Sequence, residues 1–171
     1  MARAGERDLS DFPMVIRSAT VDDIPALLAL EQRSPGAAHW TAEQYRKLFS
    51  VDQNDRGSLV LVAKAATSES NAPPSIDAFL VACCVAGEWE LENLAVAVEH
   101  RGKGIGASLL TEFKNHALAK EGLALYLEVR ESNQPARRLY EKFGFGQTGR
   151  RRRYYVDPVE DAVLYRLKLT P

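Results

Sequence analysis

The segment that begins at position 99, EHRGKGIGASLL, places Gly102, Gly104 and Gly106 at alternate positions directly before an apolar, helix-like run. Glycine permits backbone conformations that a side chain disfavours. The first N–H groups of a helix have no partner inside the helix and lie at its positive end, so they attract anions. Arg101 and Lys103 add positive charge. The pattern indicates a site for a phosphate or pyrophosphate; the alternative is an ordinary glycine-rich turn before a helix.

Two common phosphate-binding motifs do not match this segment. A Walker loop needs Gly-Lys followed by Ser or Thr, whereas the Gly-Lys pair here is followed by Gly104. A dinucleotide fingerprint needs a third glycine three residues after Gly106, where the chain has Leu109. The segment therefore indicates a different kind of phosphate site.

Glu128 and Tyr140 are candidates for proton transfer. Glu128 lies in the strand-like run LYLEVR, where a carboxylate is costly if it is buried without a partner. The alternatives are that strand alternation directs it outward, or that it pairs with Arg130. Tyr140 lies in NQPARRLYEKFGF with Leu139 and Phe143 on one apolar helix face, so it is also a candidate core residue.

The periodicity predicts an α/β fold of the α+β type, in which a mixed, mostly antiparallel central sheet is flanked by about four helices. Capping-box spacing marks the first two helices at Thr20 and Thr41, and Asn133 is placed to cap the last. Gly122 is the predicted C-cap of the helix after the glycine segment. The predicted order is β-α-α-β-β-β-α-β-α-β-β, and the three consecutive strands suggest an antiparallel meander.

Composition limits the class of protein. The chain has 171 residues, 46% of them hydrophobic, and a net charge of -1, which argues against a dedicated nucleic-acid partner. We expect a flexible lead-in over 1–13 and one domain over 14–171. No apolar run approaches the ~18–20 residues of a membrane span, and the N-terminus does not resemble a secretory signal. A cytoplasmic protein without a membrane partner is therefore expected.

The cysteines and histidines do not suggest a metal site. Cys83 and Cys84 are adjacent in a strand-like run, which is typical of small buried residues in a reducing compartment. His39, His100 and His116 are scattered along the chain. Neither set has the spacing of metal ligands, so we expect no metal.

The arrangement R-x-x-G-x-G-A at 101–107 resembles the acetyl-CoA loop of the GNAT N-acetyltransferases. The runs ENLAVAVEHRGKGIGASLL and LYLEVRESNQPARRLYEKFGF also resemble that family, including its N-x-x-A-x-x-L-Y pattern, over residues 91–145. Within the family the sequence is most similar to the RimI-type ribosomal-protein-alanine N-acetyltransferases. The matching segments are EQR at 31–33 with Trp40-Thr41, LEVRESN at 127–133, RRRYY, and EDA at 160–162.

This resemblance implies a GNAT fold, with acetyl-CoA as the acetyl donor. In the family, backbone N–H groups of the loop hold the pyrophosphate, which accounts for the glycines. The implied loop contacts are Arg101, Gly102, Lys103, Gly104, Ile105, Gly106 and Ala107. The backbone of Leu94, Ala95 and Val96 is implied to pair with the pantetheine arm and to polarise the thioester carbonyl. Asn133 is implied to contact the same arm, and this is compatible with a plain helix cap.

The resemblance also implies the catalytic roles. Glu128 corresponds to the general base and Tyr140 to the general acid towards the CoA sulfur. Transfer to the amine is direct, so the absence of a Cys-His or Ser-His set is no objection. The expected acceptor is the N-terminal α-amine of a protein such as a ribosomal protein with an alanine N-terminus. The alternatives are a small-molecule amine or a lysine, and, in another class, a non-catalytic acyl-CoA-binding module.

Two segments bear on the acceptor. The region RSPGAAHWT corresponds to part of the acceptor cleft in RimI-type enzymes, and it has His39 where that group often has proline. The run Arg150–Arg153 before Tyr154 and Tyr155 matches the composition of an RNA patch. Because alternate strand residues face opposite sides, we favour a solvated strand edge that shapes the acceptor groove. A monomer is the default expectation.

Overall fold

The computed structural model describes residues 14–34, 36–50, 57–65 and 75–170, and the predicted order of strands and helices is confirmed. The lead-in 1–13 and residues 67–74 of a predicted polar loop lie outside the described residues. The strands are β1 Met14–Ser18, β2 Gly57–Ala65, β3 Ala78–Val85, β4 Glu88–Val96, β5 Ala124–Arg130, β6 Gly146–Val156 and β7 Val159–Lys168. The helices are α1 Ile24–Gln32, α2 Ala42–Phe49, α3 Ile105–Ala119 and α4 Gln134–Phe143, with 3-10 turns at Val21–Asp23 and Val98–His100.

Local signals set most helix ends. Thr41 Oγ1 accepts from the Gln44 N–H at 3.2 Å, while the Gln44 side chain accepts from the Thr41 N–H at 2.8 Å, so the capping box at α2 is confirmed. The end of α3 differs from the prediction. Glu121 takes the left-handed conformation (φ 55°), and the Gly122 N–H donates to the Ala117 carbonyl at 2.8 Å. Gly122 is small for another reason, because a Cβ there would lie 2.8 Å from that carbonyl oxygen.

The seven strands form one sheet in the order β1-β2-β3-β4-β5-β7-β6. Every neighbouring pair is antiparallel except β4 and β5, which are parallel. Their ladder joins Glu88–Leu91 to Ala124–Leu127 and ends there, although both strands continue. The sheet therefore has a notch between the ends of β4 and β5, and this notch positions the site.

The two faces of the sheet carry different helices. One hydrophobic cluster contains core residues of α3 and α4 together with Leu127 and Val129 of β5. The other contains core residues of α1 and α2 together with Ala95 of β4. Because strand side chains alternate, Glu128 lies on the α1–α2 face, opposite to Leu127 and Val129. Within the described residues, no helix is both long enough and apolar enough to span a membrane.

The β3–β4 pairing shifts by one residue at Glu92, since Val81 pairs with Asn93 and Ala82 with Leu91. A shift of one residue moves the following side chains to the opposite faces. Leu91 therefore packs in the α3–α4 cluster, whereas Ala95 packs in the α1–α2 cluster. This shift lies beside the point where β4 and β5 stop pairing.

Candidate active site

A cleft of about 720 Å³ occupies the notch between β4 and β5 and brings together predicted site residues from both halves of the sequence. Its lining includes Leu94, Ala95, Val96, Arg101, Gly102, Gly104, Ile105, Gly106, Ala107, Glu128, Asn133 and Tyr140. Lys103 is the predicted residue that does not line it. The Lys103 Nζ lies 3.4 Å from Nδ1 of His100, which does line the cleft.

The glycine loop has the backbone geometry of an anion cradle. Gly102 (φ +75°) and Gly104 (φ +81°) take left-handed conformations that favour glycine. The first bond of α3 runs from the Ser108 N–H to the Gly104 carbonyl at 3.0 Å, so the N–H groups of 105–107 have no earlier carbonyl within the helix to bond. These N–H groups line the cleft mouth at the positive end of the helix, and a pyrophosphate fits them.

Close packing holds this loop in place. Gly106 lies against α4, because a Cβ at that position would be 3.0 Å from Cδ2 of Leu139. Arg101 Nε donates to the Val96 carbonyl at 3.0 Å and ties the loop to the end of β4. The cradle is therefore positioned against both the strand and the helix that border the cleft.

The end of β4 offers backbone groups to the cleft. Leu94, Ala95 and Val96 pair with β3 on one side, while the ladder to β5 has already ended on the other. A strand edge of this kind can pair with an extended ligand through its N–H and C=O groups. Opposite this edge, Asn133 Oδ1 accepts from the Ala136 N–H at 3.2 Å as the cap of α4 and also lines the cleft.

Glu128 enters the cleft from the α1–α2 face. Its Oε1 lies 3.1 Å from Nε of Arg151, and its side chain is 16% exposed. The predicted alternative of a pair with Arg130 is wrong, since Arg130 lies 3.4 Å from Glu160 instead. The negative charge of Glu128 is the largest cause that raises the pKa of the neighbouring Tyr154. A carboxylate so placed can accept a proton in the cleft.

Tyr140 enters the same cleft from the opposite face of the sheet. Its side chain packs in the α3–α4 cluster, with ring centroids 5.9 Å from Phe145 and 6.4 Å from Tyr165. Burial raises the pKa of Tyr140, so the hydroxyl stays protonated near neutral pH. The core interpretation and the cleft interpretation of this residue therefore both hold. A proton acceptor and a proton donor border one cleft from its two sides.

A buried polar network that was not predicted from the sequence lies beside the cleft. Glu31, at the end of α1, is 2% exposed and accepts from the Tyr45 hydroxyl at 2.8 Å and from Nδ2 of Asn93 at 2.6 Å. It also accepts from the Trp40 N–H at 3.1 Å. The Asn93 amide bonds both backbone groups of Ala38. The network thus holds residues 37–40 against β4. In the sequence, the signal for this network is a polar residue, Asn93, at a strand position that alternation predicts to be buried.

The arginine run lies on β6, which is an edge strand of the sheet, as the solvated-edge interpretation expects. Arg150 pairs with Glu131 at 2.5 Å, whereas Arg151 pairs with the cleft residue Glu128. Arg153 takes a positive φ of 51°, and its N–H donates to Asp161 Oδ1 at 2.8 Å, so the strand bulges there. After the bulge, Tyr155 lines the cleft. The Arg130 guanidinium lies over the Tyr155 ring, 4.1 Å from the ring centroid.

No cluster of three or more His, Cys, Asp or Glu side chains that could hold a metal ion occurs in the described ranges. What the cleft does contain is an anion cradle, a free strand edge, a carboxylate and a protonated tyrosine. This set suits acyl transfer, in which an amine loses a proton and a leaving group gains one.

Comparisons with known proteins agree with this chemistry. Residues 33–145 match the family described as acetyltransferase (GNAT). The ribosomal protein bS18-alanine N-acetyltransferase of Escherichia coli (strain K12) is 33% identical over 158 residues, which are 91% of this chain and 97% of that protein. The crystal structure of the ribosomal-protein-S18-alanine N-acetyltransferase from Escherichia coli superposes with a TM-score of 0.77 at 29% identity, covering 93% of this chain and 96% of that one.

A more distant structure shares the fold alone. The Arabidopsis thaliana NAA60 structure in complex with acetyl-CoA has a TM-score of 0.80 at 17% identity, and the match covers 92% of this chain and 100% of that chain. The predicted resemblance, the fold and the acetyl donor are thus confirmed at the level of the family.

Proposed function

The chain belongs to the GNAT acetyltransferase family and is an acetyl-CoA-dependent N-acetyltransferase, and from this premise we propose that it acetylates the N-terminal α-amine of a protein. In this proposal Glu128 is the general base and Tyr140 the general acid. The observation that carries the proposal is their placement on opposite faces of the sheet around one cleft.

The first step is binding of the donor. The N–H groups of 105–107 and the Arg101 side chain would hold the pyrophosphate of acetyl-CoA, and Asn133 would contact its pantetheine arm. The free edge of β4 at Leu94–Val96 would pair with that arm. The far end of the donor would then lie in the notch, whose lining includes Glu128 and Tyr140.

The second step is proton transfer around the acyl group. Bound acetyl-CoA supplies a thioester whose acetyl group passes directly to the amine. Glu128 accepts one proton of the incoming ammonium, either directly or through water, and the neutral amine attacks the carbonyl. As the C–S bond breaks, Tyr140 donates its hydroxyl proton to the departing sulfur, and the second proton of the nitrogen passes to the Tyr140 oxygen. An N–H group of the β4 edge is placed to stabilise charge on the carbonyl oxygen. Burial of Tyr140, which raises its pKa, keeps this acid protonated.

The acceptor assignment is supported by the relatives and by the cleft lining near Glu128. The relative at 33% identity is named as the ribosomal protein bS18-alanine N-acetyltransferase, so a ribosomal protein that begins with alanine is the proposed substrate class. Residues 36–39 and Tyr155 of β6 line the cleft together with Glu128, and the peptide end would bind there. The donor would bind at the glycine loop.

The test is a thiol-release assay with acetyl-CoA and three acceptors. These are an alanine-initiated peptide that copies the N-terminus of a small-subunit ribosomal protein, a matched peptide with a blocked N-terminus and an internal lysine, and spermidine. The proposal expects turnover on the free N-terminus alone, and a large loss of that turnover in Glu128→Gln. Glu88→Gln, which changes a carboxylate of β4 that accepts from the Tyr126 hydroxyl and does not line the cleft, is the control.

Other outcomes separate the parts of the proposal. Turnover on spermidine or lysine alone would keep the enzyme class and overturn the acceptor. Turnover of Glu128→Gln at the wild-type rate would remove the general base. Equal affinity of wild type and Glu128→Gln for CoA, with turnover by neither on any amine, would favour a non-catalytic acyl-CoA-binding module.

A further inference from the structure

We propose that Arg151 is a positioning residue that holds the Glu128 carboxylate aimed into the cleft. This inference rests on the proposed function, in which Glu128 is the base. Arg151 Nε lies 3.1 Å from Oε1 of Glu128. The contact lies outside the glycine loop and α4, because the arginine comes from the edge strand β6.

The pair differs from the other ion pairs at this edge of the sheet. Arg150 binds Glu131, and Arg130 binds Glu160, and neither of those two carboxylates lines the cleft. The Arg151 pair is thus the one at this edge, among the described residues, that joins a guanidinium to a carboxylate of the cleft. The Arg151 side chain is 55% exposed, whereas the Glu128 side chain is 16% exposed. The less exposed member of the pair is therefore the proposed base.

The geometry of β6 places this guanidinium. Arg151 pairs with Ala162 of β7, and the next paired residue on β6 is Tyr155, opposite Glu160. The residues between them bulge, and the Arg151 guanidinium lies 5.3 Å from the centroid of the Tyr154 ring. Stacking on an aromatic face restrains a guanidinium that would otherwise be free in solvent. The bulge and the ring together direct Nε at Glu128.

The chemistry of the pair suits a base that must be ready to accept a proton. A guanidinium stays charged at every working pH and cannot take the proton itself. A guanidinium and a carboxylate at this distance form a charge-assisted contact, which restrains the Glu128 side chain. Arg151 therefore orients Glu128 without itself joining the proton transfer.

Several other ionisable groups surround Glu128, and none of them changes when Arg151 is substituted. Tyr154 and Tyr155 face it from β6, and the Glu128 charge contributes to the raised pKa of each. Glu92 of β4, His39 and Tyr140 also line the cleft, as does Arg130 of β5. Because these groups are unchanged when Arg151 is replaced, a difference from wild type reports the removal of one guanidinium.

The experiment compares wild type with Arg151→Gln, Arg151→Lys and the matched control Arg152→Gln. Arg152 is the next residue on the same exposed strand. The first measurement is steady-state kcat and KM for the alanine-initiated peptide, together with the affinity for acetyl-CoA by calorimetry. We expect Arg151→Gln to lower kcat several-fold and to leave the affinity for acetyl-CoA unchanged. Arg151→Lys should lie between, and Arg152→Gln should follow wild type.

The second measurement is a double-mutant cycle with Glu128→Gln. If Arg151 acts through Glu128, adding Arg151→Gln to Glu128→Gln should cause little further loss of kcat. A further loss as large as the one that Arg151→Gln causes in wild type would overturn the inference, as would an equal loss in Arg152→Gln.

The two measurements separate this inference from the proposed function. If Glu128→Gln turns over at the wild-type rate, Glu128 is not the base and both proposals fail. If Glu128→Gln is strongly impaired and Arg151→Gln has the wild-type kcat, the base stands and the role of Arg151 fails. Thermal unfolding of each variant is measured beside both, and an exposed arginine on an edge strand is expected to change it little.

Discussion

The two sides of the cleft are built by different means. The proposed cofactor side comprises the end of β4, the loop 101–107 and the starts of α3 and α4, and it would act mainly through backbone groups. The proposed acceptor side comprises residues 36–39, Glu128 of β5 and Tyr155 of β6. It depends on side-chain contacts such as that of Glu31 with Asn93, 62 positions apart in the chain. A binding site formed by backbone groups is disrupted by substitutions at only a few positions. A binding site formed by side chains can change its ligand preference through single substitutions. This difference explains how one donor site can serve acceptors of many kinds.

The largest expected effect is that of Tyr140→Phe on kcat. Removing the hydroxyl while keeping the ring should lower kcat by about 10²-fold, the usual contribution of a general acid. The affinity for acetyl-CoA, measured by calorimetry, should change little, because the packing against Phe145 is preserved. The control is Tyr126→Phe. The exposed Tyr126 hydroxyl donates to Glu88 Oε1 at 2.8 Å, and this pair does not line the cleft.

The protonation of Tyr140 adds a pH test to this variant. Because burial raises the pKa of Tyr140, wild-type kcat should show no alkaline limb from this group up to about pH 10, the ordinary tyrosine value. A fall in kcat between pH 8 and 9 that disappears in Tyr140→Phe would contradict the burial argument. Normal turnover by Tyr140→Phe would return the residue to a purely structural role.

The second effect tests the cofactor side directly. Gly104 lies at the start of α3 with φ +81°, a conformation that costs a β-branched residue on the order of 1–3 kcal/mol. Gly104→Val should therefore weaken acetyl-CoA binding by more than about tenfold in calorimetry, since 1.4 kcal/mol corresponds to a factor of ten. Gly149→Val on β6 is the control, because a Cβ there meets no atom within 4 Å. Unchanged affinity in folded Gly104→Val would remove the loop from the donor site.

This contrast also explains how far the sequence could be used for prediction. The element order and the loop are predictable because glycine spacing, caps and periodicity are local. The partners of Glu128 and the role of Asn93 are not, because they depend on the strand order β5-β7-β6 and on the shift at Glu92. The predicted C-cap Gly122 lies two residues beyond Lys120, the C-cap of α3, and the left-handed residue between them is Glu121.

A third effect concerns the acceptor side. Tyr45→Phe removes one of the three donors to the buried Glu31 carboxylate, which should cost about 1–3 kcal/mol in the free energy of unfolding. Because Glu31 also binds the Trp40 N–H, the KM for the acceptor peptide should rise several-fold while the KM for acetyl-CoA does not. Urea unfolding and steady-state kinetics provide the two measurements. Equal rises in both KM values would show that the two sides of the cleft are not independent.

A smaller effect is the pH dependence of stability that arises from Glu31. Burial is the largest cause acting on this group and raises its pKa, so the folded protein holds the proton more tightly than the unfolded chain. The associated stability is present below the ordinary glutamate pKa and is lost as the pH rises through the folded value. Wild type should therefore lose stability relative to Glu31→Gln as the pH rises above about 4.3, the ordinary glutamate value. The opposite trend would mean that the three hydrogen bonds outweigh burial.

The smallest effect separates the two roles of Asn133. Its Oδ1 accepts from the Ala136 N–H at 3.2 Å, so Asn133→Ala should destabilise α4 by about 1 kcal/mol, whereas Asn133→Ser keeps a capping oxygen and should cost less. Both variants lack the side-chain amide that faces the cleft. If that amide contacts the pantetheine arm, the affinity for acetyl-CoA should fall a few-fold in both. If only Asn133→Ala binds more weakly, Asn133 acts on the donor through the position of α4, and the cofactor side is then built by backbone geometry even at this residue.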